Sequence, residues 1–574
     1  MRVVLSLLLL AATARADVLY VDDSARGADD GTSWADAFVR FQRALDAASI
    51  GDQIWVAEGT YRPSATGDRT KSFVVRKRVH VYGGFAGTET SLAERAGLFD
   101  RTVLSGDLAR DDGEDFAGTE ENSYHVVVID TPTHLTETVP FDGFTITGGR
   151  ADGPGVDGNG GGMWIVSAAV ELENLRFVRN MARANGGALY WGVTEWTMRN
   201  SLLLENIAHR AGGAGAGPAF HVFDGIQGCR FLRNTARGLG GGALALFGDV
   251  GFPEDMSDCL FAHNSADGTS SGGGAIWSEA RLYLSNCTFY ANSARRSADG
   301  GGAIYARYHP SSGAQVLNSI VWDNVDDQGR RGTSQIDVGD LAIDVSFSCV
   351  QGGIDPDWFT WSPMTGVIDS DPLFVDPDGP DGVPGTEDDD LRLARGSPCI
   401  DTANHPYHFF GSLDALGQPR FVDSLTDCSD GALLDRGALE RQEIDGTTNY
   451  CPQPPSSLGV PAVLRAPCVV WADVDNLTLV ARPVPRGAGF FLAGSRMVDV
   501  PFHRARLCVG GRALRLPPLP TSGGELRDHV GLSVPPAFPL IEPGTTWQFQ
   551  AVFRDPGVDG GLHLSDAVRV TILR

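Results

Sequence analysis

The chain has 574 residues, of which 72 are Gly and 42% are apolar, and its formal net charge is −26. The apolar fraction excludes a disordered chain, and the glycines follow no three-residue period of the collagen type. The excess of acidic over basic residues argues against nucleic acid and anionic membrane surfaces as partners, because both bind to basic patches.

Residues 1–16 have the pattern of a secretory signal peptide. A basic start at Arg2 precedes an apolar run from Val3 to Ala12, and Ala14 and Ala16 supply the small-x-small cleavage pattern. No later stretch reaches the 18 apolar residues of a membrane helix. We therefore expect a protein that is secreted, extracellular or associated with the outer cell surface, with no transmembrane segment.

Residues 17–125 are predicted to form an N-terminal cap and the first rungs of a solenoid. Ala37, Phe41 and Leu45 have helical spacing, with Ser33 as the expected N-cap and Gly51 as the stop. Such a helix covers the exposed peptide groups at the open edge of a stack of strands. Early strands are expected at 72–75, 79–82, 102–105, 126–129 and 141–147.

Residues 126–370 contain a repeat whose six copies start 26 to 32 residues apart. Each copy follows a glycine-rich tetrad such as GGAL or GGAI, in which Gly-Gly is expected to allow a sharp bend. The copies are LENLRFVRNMA from Leu172, MRNSLLLENIA from Met198, IQGCRFLRNTA from Ile226, MSDCLFAHNSA from Met256, LSNCTFYANSA from Leu284 and VLNSIVWDNVD from Val316. Such a period predicts a stacked repeat architecture.

Two polar columns mark the corners of each repeat. The first column has one residue in each copy, from Asn174 in the first copy to Asn318 in the last. It interrupts the period-two alternation of strand residues, so the chain must turn at each of these residues. The second has Asn in every copy, and Asn tolerates left-handed backbone angles and bonds to neighbouring peptide groups. Its members are Asn180, Asn206, Asn234, Asn264, Asn292 and Asn324. Short strands with polar corners predict an all-β parallel β-helix, or solenoid.

Three inward cysteines, Cys229, Cys259 and Cys287, occupy one position in consecutive copies. Stacked rungs hold parallel Cβ vectors about 4.8 Å apart, beyond the usual reach of a disulfide. Metal ligation and a disulfide pair are the alternatives, but we expect buried, reduced thiols that fill space.

The opening segment resembles the N-terminal cap of secreted bacterial right-handed parallel β-helix proteins of the pectate-lyase-like superfamily. The motifs FVRN, FLRN, FAHN and FYAN, with GGAL and GGAI, resemble the repeats of chlamydial polymorphic outer membrane proteins. Together the two resemblances cover about Asp17 to Ser348. They imply a right-handed solenoid and the role of a surface-exposed adhesin.

Residues 371–445 resemble the closing segment of many such bacterial β-helices. Within it, seven acids lie among fifteen residues around Gly379, Gly382 and Gly385. Carboxylates on a glycine-bent loop can surround a hard cation such as calcium, although the spacing departs from an EF-hand and a solvated acidic turn is the alternative. The predicted calcium ligands are Asp376, Asp378, Asp381, Asp388 and Asp390.

Residues 446–460 are predicted to be a linker, and 461–574 a small C-terminal β-sandwich-like domain. Short alternating strands such as LTLVARPVP and GTTWQFQAVFRD recur every 10 to 20 residues there. Cys508 is expected to pair with Cys451 or Cys468, and Cys399 with Cys428, but the connectivity is open.

No catalytic residue is predicted. A lyase of this kind uses Lys or Arg as its base, and Lys is absent after Lys77. A hydrolase requires a pair of carboxylates, and no such pair recurs on adjacent copies. We expect a non-enzymatic, monomeric protein that binds a polysaccharide or cell-surface component; the alternative is a polysaccharide lyase or glycoside hydrolase. Aromatic rings just after the tetrads are the predicted glycan-binding residues, by stacking on sugar faces. They are Trp164, Tyr190, Trp191, Trp277 and Tyr305.

Overall fold

The computed structural model confirms the predicted fold class: an array of short parallel strands precedes a smaller antiparallel β domain. It describes residues 16–573 except 96, 98, 132–137, 193–194, 220–224, 249–252, 269–271, 296–299, 307–312, 327–334, 339–341, 354–363, 405–412, 419, 421–433, 445–446, 452, 467–469, 472–476, 503–504, 523, 531–544 and 559–560. The predicted signal peptide lies outside the described residues up to residue 15. No helix in the described part of the chain has the length and apolarity needed to cross a bilayer.

The chain divides into two compact units, residues 1–183 with 188–196, and residues 184–187 with 197–574. In both units each rung contributes strands to up to four parallel sheets, here named A, B, C and D. A rung runs from sheet C through A and B to D, and the chain then enters the next rung.

The first unit contains the cap and the early rungs. Its helices are Phe41–Ala47 and the short 3-10 turns Leu92–Glu94, Glu114–Phe116 and Gly155–Gly158. Its sheet A contains Val18–Val21, Gln53–Ala57, His80–Phe85, Val139–Asp142 and Val170–Glu173. Its sheet B contains Gly59–Tyr61, Thr102–Ser105, Thr145–Thr147 and Arg176–Val178. Its sheet C contains Phe73–Val75, Val127–Asp130, Met163–Ser167 and Leu189–Trp191, and its sheet D contains Arg150–Ala151 and Met181–Ala182. Strands are therefore present at all the early positions expected from the sequence. His80–Phe85 extends three residues beyond the expected 79–82, and the expected 141–147 is divided into Val139–Asp142 and Thr145–Thr147.

The cap helix is shorter than predicted. It begins after Arg40, not after Ser33, and it ends before Ala48. Asp29 and Asp36 accept backbone N–H groups of Val39 and Ala28, at 2.9 and 2.8 Å. These carboxylates stabilise irregular turns ahead of the helix, because side-chain bonds to peptide groups compete with helical ones.

The second unit contains the regular rungs of the repeat. Its sheet A contains Trp196–Arg199, Ile226–Gln227, Glu254–Ser257, Leu282–Ser285, Gly313–Leu317 and Ala342–Ser346. Its sheet B contains Leu202–Leu204, Arg230–Leu232, Leu260–Ala262, Thr288–Tyr290, Ile320–Trp322 and Cys349–Val350. Its sheet C contains Gly215–Pro218, Leu244–Phe247, Ile276–Ser278, Ile304–Ala306 and Ile336–Asp337. Its sheet D contains Ile207–Ala208, Thr235–Ala236, Ser265–Ala266, Ser293–Ala294 and Val325–Asp326.

The interior of these rungs is built from residues stacked in register. Phe231, Phe261 and Phe289 are register partners in sheet B, fully buried, with ring centroids 4.6 and 4.7 Å apart. Cys229, Cys259 and Cys287 are buried and unbridged, as predicted. Each thiol lies near the carbonyl oxygen two residues before it, as Cys259 does with Ser257 O at 3.1 Å.

The second polar column forms a buried asparagine ladder, here defined as Asn206, Asn234, Asn264, Asn292 and Asn324. Each of the first four donates from its side-chain Nδ2, and from its backbone N, to the side-chain Oδ1 of the next, at 2.8 to 3.0 Å. Gln335 Oε1 accepts from Asn324 Nδ2 at 2.9 Å and so ends the ladder. In the first unit, Asn180 Oδ1 accepts from Gly149 N.

The left-handed backbone at this corner lies one residue before the asparagine, which corrects the conformation expected from the sequence. His263 and Ala291 have φ of 55° and 52°, whereas the neighbouring asparagines have no positive φ. The first polar column, for which the sequence predicted only a turn, does have left-handed angles, as at Asn200, Asp258 and Asn286. The asparagine ladder is therefore selected for buried hydrogen bonding rather than for its backbone angle.

The two glycines of a tetrad serve different purposes. The first takes the predicted positive φ at Gly186, Gly212 and Gly241, of 64°, 66° and 81°. The second lies where adjacent rungs touch: a Cβ at Gly242 would stand 2.1 Å from the carbonyl oxygen of Gly274. No heavier residue fits there without separating the rungs.

The predicted closing segment packs along the outer face of sheet B. Leu391, Ala415, Ala438 and Leu439 share one buried cluster with sheet-B residues that include Leu202 and Leu260. Backbone bonds accompany this packing, as Gly437 N donates to Asn318 O at 2.7 Å. The segment therefore covers a flank of the second unit.

The C-terminal domain is formed by two antiparallel sheets. The larger sheet contains Glu443–Ile444, Thr447–Tyr450, Val470–Trp471, Ala488–Phe502, Ala505–Arg515, Leu519–Pro520, Thr546–Arg554 and Leu562–Leu573. Its strand Val470–Trp471 pairs in parallel with Leu562–Leu573. The smaller sheet contains Val463–Arg465, Thr478–Arg482 and Leu526–His529. Residues of both sheets, such as Leu479 and Phe549, meet in one core. Part of the predicted linker belongs to this domain, because 447–450 pairs with 567–570.

The cysteine pairing is Cys451 with Cys508, one of the two alternatives considered for Cys508. Cys468 and Cys428 lie outside the described residues. Cys399 is a free, buried thiol that interacts with Cys349. Its expected pairing with Cys428 is therefore not the arrangement found.

We expect Gly242→Ala to destabilise the second unit by about 3 kcal/mol, because its Cβ would clash with the next rung. Thermal unfolding followed by circular dichroism measures this as a lower midpoint. The matched control is Gly487→Ala, whose added Cβ meets nothing closer than 3.6 Å. Equal midpoints for the two variants would contradict the close-approach explanation.

Asn264→Ala is expected to cost about 2 to 4 kcal/mol, because it leaves buried partners of the asparagine ladder without hydrogen bonds on both sides. Asn200→Gly is the control: Asn200 is exposed and has φ of 51°, an angle that glycine adopts freely. Urea unfolding compares the two variants. A loss in Asn264→Ala no larger than that in the control would show that the ladder is dispensable.

Candidate functional site

The outer face of sheet A in the second unit presents a column of polar and aromatic side chains. Asp255, Tyr283, Gln315 and Asp344 are register partners on successive strands, and all four are partly exposed. We call these four residues the open face. Parallel strands place each member about 4.8 Å from the next, so the open face is a straight line of side chains.

Alternation within each strand explains why these residues point outward. Leu282 and Leu284 flank Tyr283 and are buried, and Ala314 and Val316 flank Gln315 in the same way. Because successive strand side chains point to opposite faces, the buried pairs fix the orientation of the residue between them. The interior of the solenoid thus orders the open face.

Side-chain contacts hold the open face in a defined arrangement. The Arg281 guanidinium lies 5.1 Å from the centroid of the Tyr283 ring. Gln315 Nε2 donates to Asp344 Oδ2 at 3.3 Å, and Ser346 Oγ donates to Asp344 Oδ1 at 3.1 Å. An aromatic ring, an amide and carboxylates in one line offer both a stacking surface and hydrogen-bonding groups.

The five predicted glycan-binding rings do not form one exposed stripe. Trp191 is 1% exposed and is the register partner of the buried Ile165, so its ring faces inward. Trp277 and Tyr305 are register partners but are only 6% and 4% exposed. Trp164 and Tyr190 are partly exposed register partners in the first unit. The corrected set of accessible rings is therefore this last pair.

The predicted calcium loop is a hairpin between strands Phe374–Asp376 and Asp390–Leu393. Three of its five predicted ligands have side-chain contacts within the loop: Asp381 and Asp388 accept from Val383 N and Thr386 Oγ1, and Asp390 pairs with Arg392. The other two, Asp376 and Asp378, lie at the end of the first strand and in the turn that follows it. In the part of the chain that is described, groups of three carboxylates with close oxygens lie elsewhere. These groups are Asp107, Asp111 and Glu121, and Asp401, Asp435 and Glu440. Calcium binding by this loop stays a prediction.

The open face was not predicted from the sequence, because only the aromatic residues that follow the glycine tetrads were considered as binding residues. The usable signal was the residue that precedes the first inward apolar position of each copy: Asp255 before Met256, Tyr283 before Leu284 and Gln315 before Val316. Once the rung is assigned, this position must face outward.

The fold and these repeats define the class of the protein, a parallel β-helix protein. One of its repeats, at residues 286–307, matches the Chlamydia polymorphic membrane protein repeat. That match includes the asparagine-ladder residue Asn292 and a glycine tetrad. No curated protein matches the chain by sequence.

Solved structures similar to this chain include two lyases and an esterase. Pectate lyase Pel9A is 14% identical with a TM-score of 0.40, over 74% of this chain and 96% of its own. A rhamnogalacturonan lyase is 12% identical with a TM-score of 0.39, over 66% and 97%. Pectin methylesterase PemA from Erwinia chrysanthemi is 11% identical with a TM-score of 0.22, over 62% and 82%. At these identities the likeness concerns the fold alone.

Proposed function

We propose that this protein is a non-enzymatic surface protein that binds an extended polysaccharide along the open face. The observation that carries the proposal is the ordered line of Asp255, Tyr283, Gln315 and Asp344 on one partly exposed sheet. A sugar ring stacks on the apolar face of Tyr283, while its hydroxyl groups bond to the neighbouring amide and carboxylates. A straight column suits a linear chain of sugar units.

The spacing of carboxylates on the open face favours binding over hydrolysis. Asp255 and Asp344 lie three strand steps apart, about 14 Å at the usual strand spacing. Glycosidases place their two carboxyl groups about 5 to 9.5 Å apart, so this pair does not suit either hydrolytic geometry. Asp344 is also engaged by Gln315 and Ser346.

A location at the cell surface or outside the cell is part of the proposal. It is supported by the polymorphic membrane protein repeat at 286–307 and by the signal-peptide pattern of residues 1–16. Adhesion follows in that setting, because a surface protein with a polysaccharide-binding face attaches its cell to glycan-coated material. Fractionation of producing cells tests this: recovery in the cytoplasm alone would contradict it.

Tyr283→Ala is expected to weaken polysaccharide binding about tenfold, because one stacking surface is lost, equivalent to about 1.4 kcal/mol. A polysaccharide array identifies a ligand, and calorimetry then measures the dissociation constant for each variant. Tyr190→Ala is the matched control, a partly exposed Tyr on sheet C. Loss of binding in Tyr190→Ala with full retention in Tyr283→Ala would assign the site to sheet C.

The alternative function is that of a polysaccharide lyase or glycoside hydrolase. The same polysaccharides are incubated with the protein and assayed for new reducing ends and for unsaturated uronates. Turnover that survives Tyr283→Ala would contradict the non-enzymatic proposal and place the chemistry elsewhere on the chain.

A further inference from the structure

A cluster of buried charges holds the closing segment against sheet B. Its carboxylates, all at most 7% exposed, are Asp258, Asp401, Asp414, Asp435 and Glu440. The described guanidinium groups that act on these carboxylates are Arg420 and Arg441. Fully ionised, the cluster has three more negative charges than positive ones. Burying such an excess is costly unless another charge compensates it.

Three of these carboxylates converge on one point. Asp401, Asp435 and Glu440 each offer an oxygen, and the three oxygens lie within 4.8 Å of one another. Backbone bonds orient Asp435: its two oxygens accept from Asp401 N at 2.8 Å and Arg441 N at 2.7 Å. Each oxygen of Asp435 keeps a further lone pair for a ligand.

Glu440 supplies a second, independent observation. Its side chain is 0% exposed, and its Oε1 is without a hydrogen-bond partner, whereas Oε2 accepts from Asp435 N at 3.1 Å. A buried carboxylate oxygen without a partner costs free energy and requires an explanation.

Arg420 pairs with Glu440 through the other oxygen, Oε2. Its Nη1 lies 3.9 Å from Glu440 Oε2, its Nε lies 3.2 Å from Asp258 Oδ1, and its Nη2 donates to Gly437 O at 2.7 Å. The guanidinium thus divides its charge between Asp258 and Glu440, and it forms no hydrogen bond with Glu440 Oε1.

We propose that Asp401, Asp435 and Glu440 bind one hard divalent cation, calcium, and that this cation fastens the closing segment. The donor set contains only carboxylate oxygens, which suits calcium and magnesium and disfavours metals that prefer thiolate or imidazole. The ligands come from two stretches of the segment, which a single ion would cross-link. Both stretches bond to the solenoid, through Asn404 N to Asn318 Oδ1 and Arg436 Nη1 to Ser348 O.

The experiment measures bound metal and thermal unfolding of the full chain. Elemental analysis after dialysis against calcium is expected to find about one ion per chain. Adding 1 mM CaCl₂ after EGTA treatment should raise the unfolding midpoint by roughly 3 °C or more, because a ligand that binds only the folded state stabilises it. MgCl₂ is the comparison, and a smaller shift is expected with it. Absence of both bound metal and a calcium-dependent shift in the wild type overturns the proposal.

Two substitutions locate the ion. Glu440→Gln keeps the shape of the side chain and removes its charge, so the bound ion and the calcium-dependent shift should both be lost. Asp388→Asn, in the exposed hairpin loop, is the control and should keep both. Loss in Asp388→Asn with retention in Glu440→Gln overturns the proposal in favour of the loop. If Glu440→Gln does not fold, Asp401→Asn replaces it.

Protonation is the alternative to a bound cation as the way in which the negative charge of the buried carboxylates is neutralised. Burial raises the pKa of Glu440 well above its ordinary value, so a cluster neutralised by protons would bind no metal. Its stability would then fall as the pH rises towards the raised pKa, with or without calcium. A pH dependence that is identical in EGTA and in CaCl₂ therefore contradicts cation binding.

Discussion

The close contact between successive rungs is the constraint on which the second unit depends. Parallel strands must stack at one spacing, so every rung has to present the same small or hydrogen-bonding group at the same place. Gly242 meets the carbonyl of Gly274 at this contact, and Asn264 lies between Asn234 and Asn292 on another side of the rung. A repeat of glycine tetrads and asparagines is the direct result.

The same regularity produces the open face. Since buried residues such as Leu284 and Val316 are held in register, the residues that precede them are also held in register on the outside. A solenoid therefore builds a straight row of surface side chains through the register of its interior, whichever side chains form the row. The chemistry of that row is then free to vary from rung to rung, as it does from Asp255 to Tyr283 and Gln315.

The closing segment differs from the open face, because a group of its carboxylates is buried rather than exposed. It covers the outer face of sheet B with apolar residues such as Leu391 and Leu439, and it buries an excess of carboxylates beside them. Charges in such a position need partners, and Arg420 provides only part of what Asp258 and Glu440 require. The proposed cation would make the attachment of this segment depend on the concentration of that cation around the protein.

The sequence by itself determined the solenoid, the position of its corners and the buried thiols, because a repeat in the chain must become a repeat in space. The tertiary structure decided which rings are exposed, since the inward position of Trp191 depends on its register with Ile165. It also decided which carboxylates converge: Asp401 and Asp435 are 34 residues apart and meet through a fold of the closing segment. From the sequence alone only the acidic hairpin loop could be named as a candidate, because charge density along a chain does not reveal which distant residues the fold brings together.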